Sequence, residues 1–157
     1  MRENQNMKRF EFRNIRQDEV EQAIAIEQIC FPPNEACSPR AMKERIVAAP
    51  ELFLNGLSTK ESKFRDEFFT DVSLYDPEGK NIMLLGLDVL PEYRKQGLAR
   101  EIVCQYRRIE HEKGRNMLYL TCLANKVEMY KKFGFEDRGI ADSTWGGEEW
   151  HEMTCRI

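Results

Sequence analysis

Several features that define common protein classes are missing from this sequence of 157 residues. Its five cysteines form no CxxC pair and are odd in number, which argues against a disulfide framework. Only two histidines are present, so a zinc site is poorly supported and we predict no metal. No apolar run approaches the roughly 20 residues needed to cross a bilayer, and the N-terminus MRENQNMKRF does not read as a secretory signal. We therefore expect a cytoplasmic protein without a membrane partner.

The charge balance excludes one further class of partner. A formal net charge of -3 lacks the electrostatic footprint that nonspecific nucleic-acid binding requires. A small anionic ligand stays possible, because backbone amides can bind it without a basic surface. There is no internal repeat, low-complexity tract or long linker, and 41% of the residues are hydrophobic. We therefore predict one globular domain over residues 1–157.

The hydrophobic patterning alternates between strands and helices, which indicates an α/β or α+β fold. Helices are predicted over residues 18–30, 39–49, 98–113 and 126–133. Strands are predicted over residues 10–15, 52–57, 81–90, 117–123, 135–140 and 150–157. The run over 81–90 is almost continuously apolar, as expected for a central strand covered on both faces.

A strand, a tight turn and a helix N-terminus are predicted around the segment PEYRKQGLA, residues 91–99. The first N–H groups of a helix have no internal partner and carry partial positive charge, so they suit a pyrophosphate. Gly97 would let the backbone approach phosphate oxygens without a side chain in between. The G-x-G-x-x-G spacing of a dinucleotide site is absent.

This segment resembles the R/Q-x-x-G-x-G/A signature of the GNAT superfamily of N-acetyltransferases, with Arg94, Gly97 and Ala99 at the matching positions. The resemblance implies a central mixed, mostly antiparallel twisted sheet flanked by helices. It also implies acetyl-CoA as cosubstrate, with its pyrophosphate on the amides of Arg94, Lys95, Gln96, Gly97, Leu98 and Ala99. The pantetheine arm would lie beside Leu87, Asp88 and Val89.

A second stretch, YKKFGF from Tyr130 to Phe135, resembles the GNAT signature Y-x-x-x-G-F. That resemblance implies that Tyr130 is the general acid. A phenol with a pKa near 10 stays protonated at neutral pH and can protonate a departing thiolate. The alternative is a core aromatic that packs a short helix onto the sheet.

A less specific resemblance points to the arylalkylamine, or serotonin-type, N-acetyltransferases. The segment 26–53, with Phe31 and Pro39, is similar to their first two helices and implies substrate contacts there. The two histidines that relay protons in the animal enzymes would fall at Met83 and Leu85, so that relay is absent. Residues 51–58 are also too few for the two strands and turn that the fold normally has there.

The sequence does not identify the base that would deprotonate an amine. Five residues are candidates: Glu27, Glu35, Asp88, Glu148 and His151. The loop 145–148 is either a plain hairpin or a lid over the acceptor. We expect direct transfer of an acetyl group to a primary amine, on a small molecule or a protein. A homodimer is the oligomer that we consider. The rival prediction is a noncatalytic acyl-CoA-binding or regulatory domain.

Overall fold

The computed structural model describes residues 13–48 and 56–157. Within these residues, five strands form one sheet: β1 (Gly56–Thr59), β2 (Asn81–Leu84), β3 (Met117–Cys122), β4 (Glu136–Ile140) and β5 (His151–Arg156). The α-helices are α1 (Val20–Cys30), α2 (Pro39–Ala48), α3 (Leu98–Glu112) and α4 (Val127–Lys132). No helix in this part of the chain is long and apolar enough to cross a membrane.

The sheet is mixed and mostly antiparallel, with the strand order β1-β2-β3-β5-β4. Its one parallel pair joins β2 to β3, and the other three pairs are antiparallel. A parallel pair needs a crossover connection, which here contains α3. The predicted fold class, a mixed α/β sheet flanked by helices, is confirmed.

The predicted strand over 81–90 is wrong for its second half. Pairing of β2 with β3 ends at Met83 opposite Tyr119, and β2 itself ends at Leu84. Residues 85–90 are not part of any ladder, although Leu85 is buried in the core. The apolar run therefore reflects burial of side chains rather than pairing of the backbone.

Most other predicted elements are confirmed with shifted ends. The helix expected from residue 18 begins as a 3₁₀ turn, Gln17–Glu19, and continues as α1. Of the first predicted strand, residues 10–12 lie outside the described part and 13–15 are not a strand. Of the predicted strand 52–57, residues 52–55 lie outside it, and β1 covers the remaining two residues and extends beyond them.

The core has two parts. The larger one lies around the sheet and includes Ile82, Leu118 and Met153, together with Phe64 and Phe68 from the segment between β1 and β2. A smaller cluster joins α1 to α2: Val20, Ala23, Cys37, Met42 and Ile46. The charged, aromatic segment 60–75 is therefore part of the packed core and not a surface loop alone.

A buried ion cluster fixes the C-terminal end of α3. Glu110 is fully buried, and its carboxylate lies 2.9 Å from Lys113 Nζ and 3.3 Å from Arg115 Nε. Arg115 also donates to the carbonyls of Pro77, at 3.0 Å, and Gly79. Removing one partner of a buried ion pair is costly because the other charge is left uncompensated. The cluster thereby ties α3 to the turn before β2.

We predict that Gly79→Ala lowers the free energy of unfolding by about 1–3 kcal/mol, the usual cost of overpacking. A Cβ at Gly79 would lie 2.4 Å from the backbone carbon of Thr59 in β1, so backbone must move. Glu78→Ala, at the exposed neighbouring position, is the matched control and should change stability by less than about 0.5 kcal/mol. Urea unfolding measures both; equal midpoints would show that the Gly79–Thr59 contact is unimportant.

Candidate active site

A cleft opens where β2 and β3 stop pairing. It has about 650 Å³ of empty volume, including its open mouth. Residues 84–87 form one wall, while Leu120, Thr121 and Tyr130 come from the β3 side. The remaining lining residues are Glu27, Phe31, Glu35, Phe69, Val103, Trp145 and Trp150. The cleft is therefore built from both halves of the sheet and from the loops above it.

Several residues singled out from the sequence meet in this cleft, and others do not. Phe31, Leu87 and Tyr130 all line it. Pro39 begins α2 as predicted, but it is exposed and is not among the lining residues. Met83 is fully buried in the core, so of the two positions that lack a histidine only Leu85 faces the cleft.

The turn between residues 90 and 98 has the backbone shape of an anion site. Lys95 and Gly97 both adopt left-handed conformations, with φ of 61° and 77°. Gly97 is the N-cap of α3, and the first helical bond runs from the Glu101 N–H to the Gly97 carbonyl at 3.1 Å. The N–H groups that precede this bond lie at the positive end of the helix dipole, where they can bind an anion.

Open space and a fixed side chain complete the turn. A Cβ built at Gly97 would meet no heavy atom within 4 Å, so this backbone is accessible to a ligand. The Arg94 Nε donates to the Val89 carbonyl at 2.9 Å, which closes the turn on itself. The geometry thus holds the amides of residues 94–99 in one place.

Tyr130 is held by aromatic neighbours. Its ring makes edge contacts with Phe133 and Phe135, at centroid distances of 5.8 and 5.7 Å. Burial raises the pKa of the Tyr130 phenol well above its usual range, and the nearby Cys122 and Asp88 add to this effect. The hydroxyl therefore stays protonated at every physiological pH and is available as a proton donor.

The loop 145–148, together with Trp150, forms an aromatic side of the cleft. The Trp145 ring stacks on Phe69 at a centroid distance of 4.6 Å. Trp145 Nε1 donates to the Glu35 carbonyl at 3.0 Å, and Trp150 Nε1 donates to the Trp145 carbonyl at 2.8 Å. The loop thus lines the cleft through Trp145, and its predicted role as a lid over the acceptor stays a prediction.

Two residues from distant parts of the chain, Asn34 and Asp66, hold this wall in place through hydrogen bonds. Asn34 Nδ2 donates to the Gly146 carbonyl at 3.1 Å, and Gly146 adopts a φ of 65°. Asp66 accepts from the Ser143 hydroxyl and from the Thr144 N–H, the latter at 3.0 Å. The loop after α1, the segment after β1 and the loop before β5 are thereby joined over the cleft.

A pair of buried carboxyl groups lies beside the cleft. Glu27 is 3% exposed and lines the cleft, and its Oε1 accepts the Cys37 N–H at 3.2 Å. Its Oε2 and the Oδ1 of Asp88 are both buried and have no hydrogen-bond donor. The pKa of Asp88 is raised far above its usual range by burial and by the Glu27 carboxyl, which hydrogen-bonds it; the Arg45 charge partly opposes this.

The other base candidates occupy different surroundings. Glu35 lines the cleft, and its pKa is raised by burial and by the charge of Glu148. His151 lies outside the cleft lining and pairs with Asp137 at 3.2 Å. The only charged side chains that line the cleft, within the described residues, are the glutamates 27 and 35.

Sequence reasoning did not assign the Glu27–Asp88 pair or the contact of Phe69 with Trp145, because both join segments far apart in the chain. From the sequence, Glu27 and Asp88 could be identified only as separate candidate bases. The loop 145–148 could be identified only as unusual. Across residues 13–48 and 56–157, no group of three or more His, Cys, Asp or Glu side chains is arranged to hold a metal ion.

Comparison with known protein families matches residues 67–137 to the acetyltransferase (GNAT) domain. A search of the curated proteins gives no match. Among solved structures, the loading GNATL domain of CurA from Lyngbya majuscula is similar with a TM-score of 0.77 and 11% identity. That similarity covers 92% of this chain and 96% of the other.

Two further structures share the fold. The GphF GNAT-like decarboxylase in complex with isobutyryl-CoA has a TM-score of 0.73 and 14% identity, covering 94% of this chain and 99% of its own. The putative acetyltransferase yncA from Salmonella typhimurium, with its cofactor acetyl-CoA, has a TM-score of 0.60 and 10% identity, covering 92% and 91%. At these identities the likeness concerns the fold.

The cysteines near the cleft are poor nucleophiles. Burial raises the pKa of Cys122 to about 12 and that of Cys37 to about 11. Because the thiolate is the reactive form, neither side chain is set up to carry an acyl group at neutral pH. Cys104, in contrast, is exposed on α3.

We predict that iodoacetamide at about pH 8 labels Cys104 first and leaves Cys122 and Cys37 largely unmodified, because their thiols stay protonated and buried. Peptide mass spectrometry after timed quenching measures the order of labelling. Cys104→Ser should remove the fast phase, and unfolded protein should label at all five cysteines. Rapid labelling of Cys122 in folded protein would contradict the high pKa and reopen a covalent route.

Proposed function

We propose that this chain, which carries a GNAT acetyltransferase domain, transfers an acetyl group from acetyl-CoA to a primary amine by direct attack in a ternary complex. The observation that carries the proposal is one continuous arrangement. An anion-binding turn at the start of α3 is followed by a cleft that contains a protonated tyrosine and two glutamates.

The pyrophosphate of acetyl-CoA fits the turn of residues 94–99. Two left-handed residues and a helix N-terminus present backbone N–H groups there, and no side chain at Gly97 stands in the way. The amides of Arg94, Lys95, Gln96, Gly97, Leu98 and Ala99 are the proposed contacts. The protein needs no excess of basic residues for this interaction, in agreement with its net charge of -3.

The pantetheine arm fits beside the unpaired segment 85–90. Because this segment has left the ladder, its backbone is available to pair with the two amides of pantetheine. Leu87 faces the cleft, whereas Asp88 is directed into the buried pair with Glu27. We therefore assign Leu87 and Val89 to the arm, and Asp88 through its backbone alone.

The acceptor side favours a cation. Two glutamates are the only charged groups that line the cleft in the described residues, and Phe31, Phe69, Trp145 and Trp150 supply aromatic surface. An ammonium group gains both from the carboxylates and from the faces of aromatic rings. This supports an amine as the acceptor and places Phe31 among its contacts.

The acid strength of Tyr130 suits its proposed role as proton donor to the departing thiolate. Its raised pKa makes the phenol a weaker acid than in water. The same exclusion of water raises the pKa of the neighbouring Cys122 thiol to about 12, and a CoA thiolate in the cleft would become more basic for the same reason. Donor and acceptor are thus better matched in the cleft than in solution.

Two other activities are less favoured by these observations. A noncatalytic acyl-CoA-binding domain would not require a glutamate and a tyrosine to line the same cleft. Decarboxylation needs an acyl group that carries a carboxylate, and the two glutamates of the cleft would repel it. Both activities are separated from acetyl transfer by the assay below.

The decisive assay detects free CoA thiol released from acetyl-CoA in the presence of a panel of primary amines. The matched controls are the corresponding alcohols, assayed for thiol release, and malonyl-CoA without amine, assayed for CO₂ release because decarboxylation leaves the thioester intact. Thiol release that requires the amine supports the proposal. If acetyl-CoA raises the melting temperature but no amine releases thiol, the binding domain is the better account.

We predict that Gly97→Trp weakens acetyl-CoA binding at least tenfold, because the indole fills the space that the phosphates need. Gly97→Ala is the control, since it has the same unfavourable φ of 77° but little bulk, and it should lose less affinity. Calorimetric titration measures both. Wild-type affinity in the tryptophan variant would show that the pyrophosphate binds elsewhere.

We predict that Tyr130→Phe lowers kcat by about 10² to 10⁴, the usual contribution of a general acid. The ring contacts with Phe133 and Phe135 are retained, so acetyl-CoA affinity should change little. Single-turnover measurements establish whether chemistry limits the rate. If chemistry limits the rate and kcat is unchanged in Tyr130→Phe, Tyr130 is a core aromatic residue and does not donate a proton.

A further inference from the structure

The Glu27–Asp88 pair is an unusual feature to bury beside an apolar cleft. Glu27 Oε2 and Asp88 Oδ1 are both buried without a hydrogen-bond donor in the described residues, and the two carboxyl groups lie within hydrogen-bonding reach of each other. A buried polar atom without a partner is costly, and two ionised carboxylates in contact are costlier still. One proton held between the two oxygens resolves both problems, since each carboxyl then has a partner.

The charges around the pair agree with one shared proton. Arg45 is buried, and its charge acts on both carboxyls; it donates to the Phe69 carbonyl at 2.5 Å. One guanidinium and one remaining negative charge give a neutral cluster. The other titratable groups that interact with the pair are Cys30, Cys37 and Tyr130.

We infer that Glu27, paired with Asp88, is the group that accepts the proton of the acceptor's ammonium. This inference rests on the proposed function. Glu27 is the one member of the pair that lines the cleft, and it shares that cleft with Tyr130. Asp88 is a positioning residue, because it acts through Glu27 and is not among the lining residues. Neither the sequence motifs nor the comparisons assign this role to either residue.

The atoms and charges of the reaction balance when Glu27 accepts one proton and Tyr130 donates another. The ammonium R–NH₃⁺ gives one proton to the Glu27 carboxylate and becomes R–NH₂. Its nitrogen lone pair forms a bond to the thioester carbon, and the C–S bond breaks with its electrons on sulfur. The thiolate takes the Tyr130 proton, and the second nitrogen proton returns to Tyr130. Glu27 releases its proton to solvent, so the products are the amide, CoA thiol and H⁺.

The partner carboxyl gives a proton on Glu27 a hydrogen-bond acceptor inside the protein. When Glu27 takes up a proton, burial no longer opposes its charge, and the facing carboxyl oxygen can accept a hydrogen bond from it. Glu35 is less buried and interacts with the charge of Glu148, which suits attraction of a cation. The pair and Glu35 therefore have separate roles in the same cleft.

The first test is the pH profile of kcat/KM. Glu27→Gln keeps the shape but removes the proton acceptor, so kcat/KM should fall by about 10² to 10⁴ while acetyl-CoA affinity is kept. Asp88→Asn gives Glu27 a permanent amide donor, which stabilises its ionised form, so the acidic limb should move to lower pH. His151→Gln is the control and should leave the limb in place.

A second measurement does not require turnover. Because the pKa of Asp88 is raised in the folded state, its protonation stabilises the fold at low pH, and this contribution is lost as pH rises above the ordinary aspartate range. Asp88→Asn has no such loss. The melting temperature of the variant relative to wild type should therefore increase as the pH rises from about 4 to about 9.

The outcomes separate the two proposals. Parallel melting curves for wild type and Asp88→Asn would exclude the shared proton. Active wild type with an unchanged rate and pH limb in Glu27→Gln would overturn the role of Glu27 and leave acetyl transfer standing. Wild type that releases no thiol with any amine would end the proposed function and the role of Glu27 with it.

Discussion

The separation of β2 from β3 after Met83 is the constraint on which the rest of the site depends. While β3 continues to Cys122 on its pairing with β5, the chain after Leu84 leaves the sheet. Two parallel strands that part in this way leave a wedge between them, with unpaired backbone on one side. The turn that follows then brings the N-terminus of α3 to the open end of the wedge.

Exclusion of water acts in the same direction on four titratable groups around this wedge. It raises the pKa of Tyr130, Asp88, Glu35 and Cys122, and thus favours their neutral forms. For Tyr130 the result is a secure proton donor, and for Cys122 an inert thiol. For Asp88, the result is a carboxyl group that holds its proton more tightly than it would in water. One physical cause thus gives three different chemical roles.

The local parts of the site could be predicted from the sequence. The turn around Gly97 and the ring of Tyr130 depend on short motifs whose backbone and packing requirements act within a few residues. The resemblance to the GNAT family that these motifs carry is confirmed, and so is the mixed sheet. The similarity to the serotonin-type branch stays a prediction.

Parts that depend on distant segments could not be predicted. Trp145 reaches Phe69 and Glu35 only because the Asn34 and Asp66 contacts join three loops, and no spacing rule connects them. Likewise, the apolar run over residues 81–90 predicts burial correctly, but it does not reveal where pairing ends. Pro39 illustrates the opposite case: its place at the start of a helix was predicted correctly, whereas its position outside the cleft lining could not be predicted.

Amide chemical shifts during titration with acetyl-CoA test the central claim most directly, because they report the position of the ligand residue by residue. The account predicts that the largest shifts occur at the amides of residues 94–99 and along residues 85–89, with smaller changes around Tyr130. Shifts confined to other parts of the chain, or none at saturating acetyl-CoA, would contradict it.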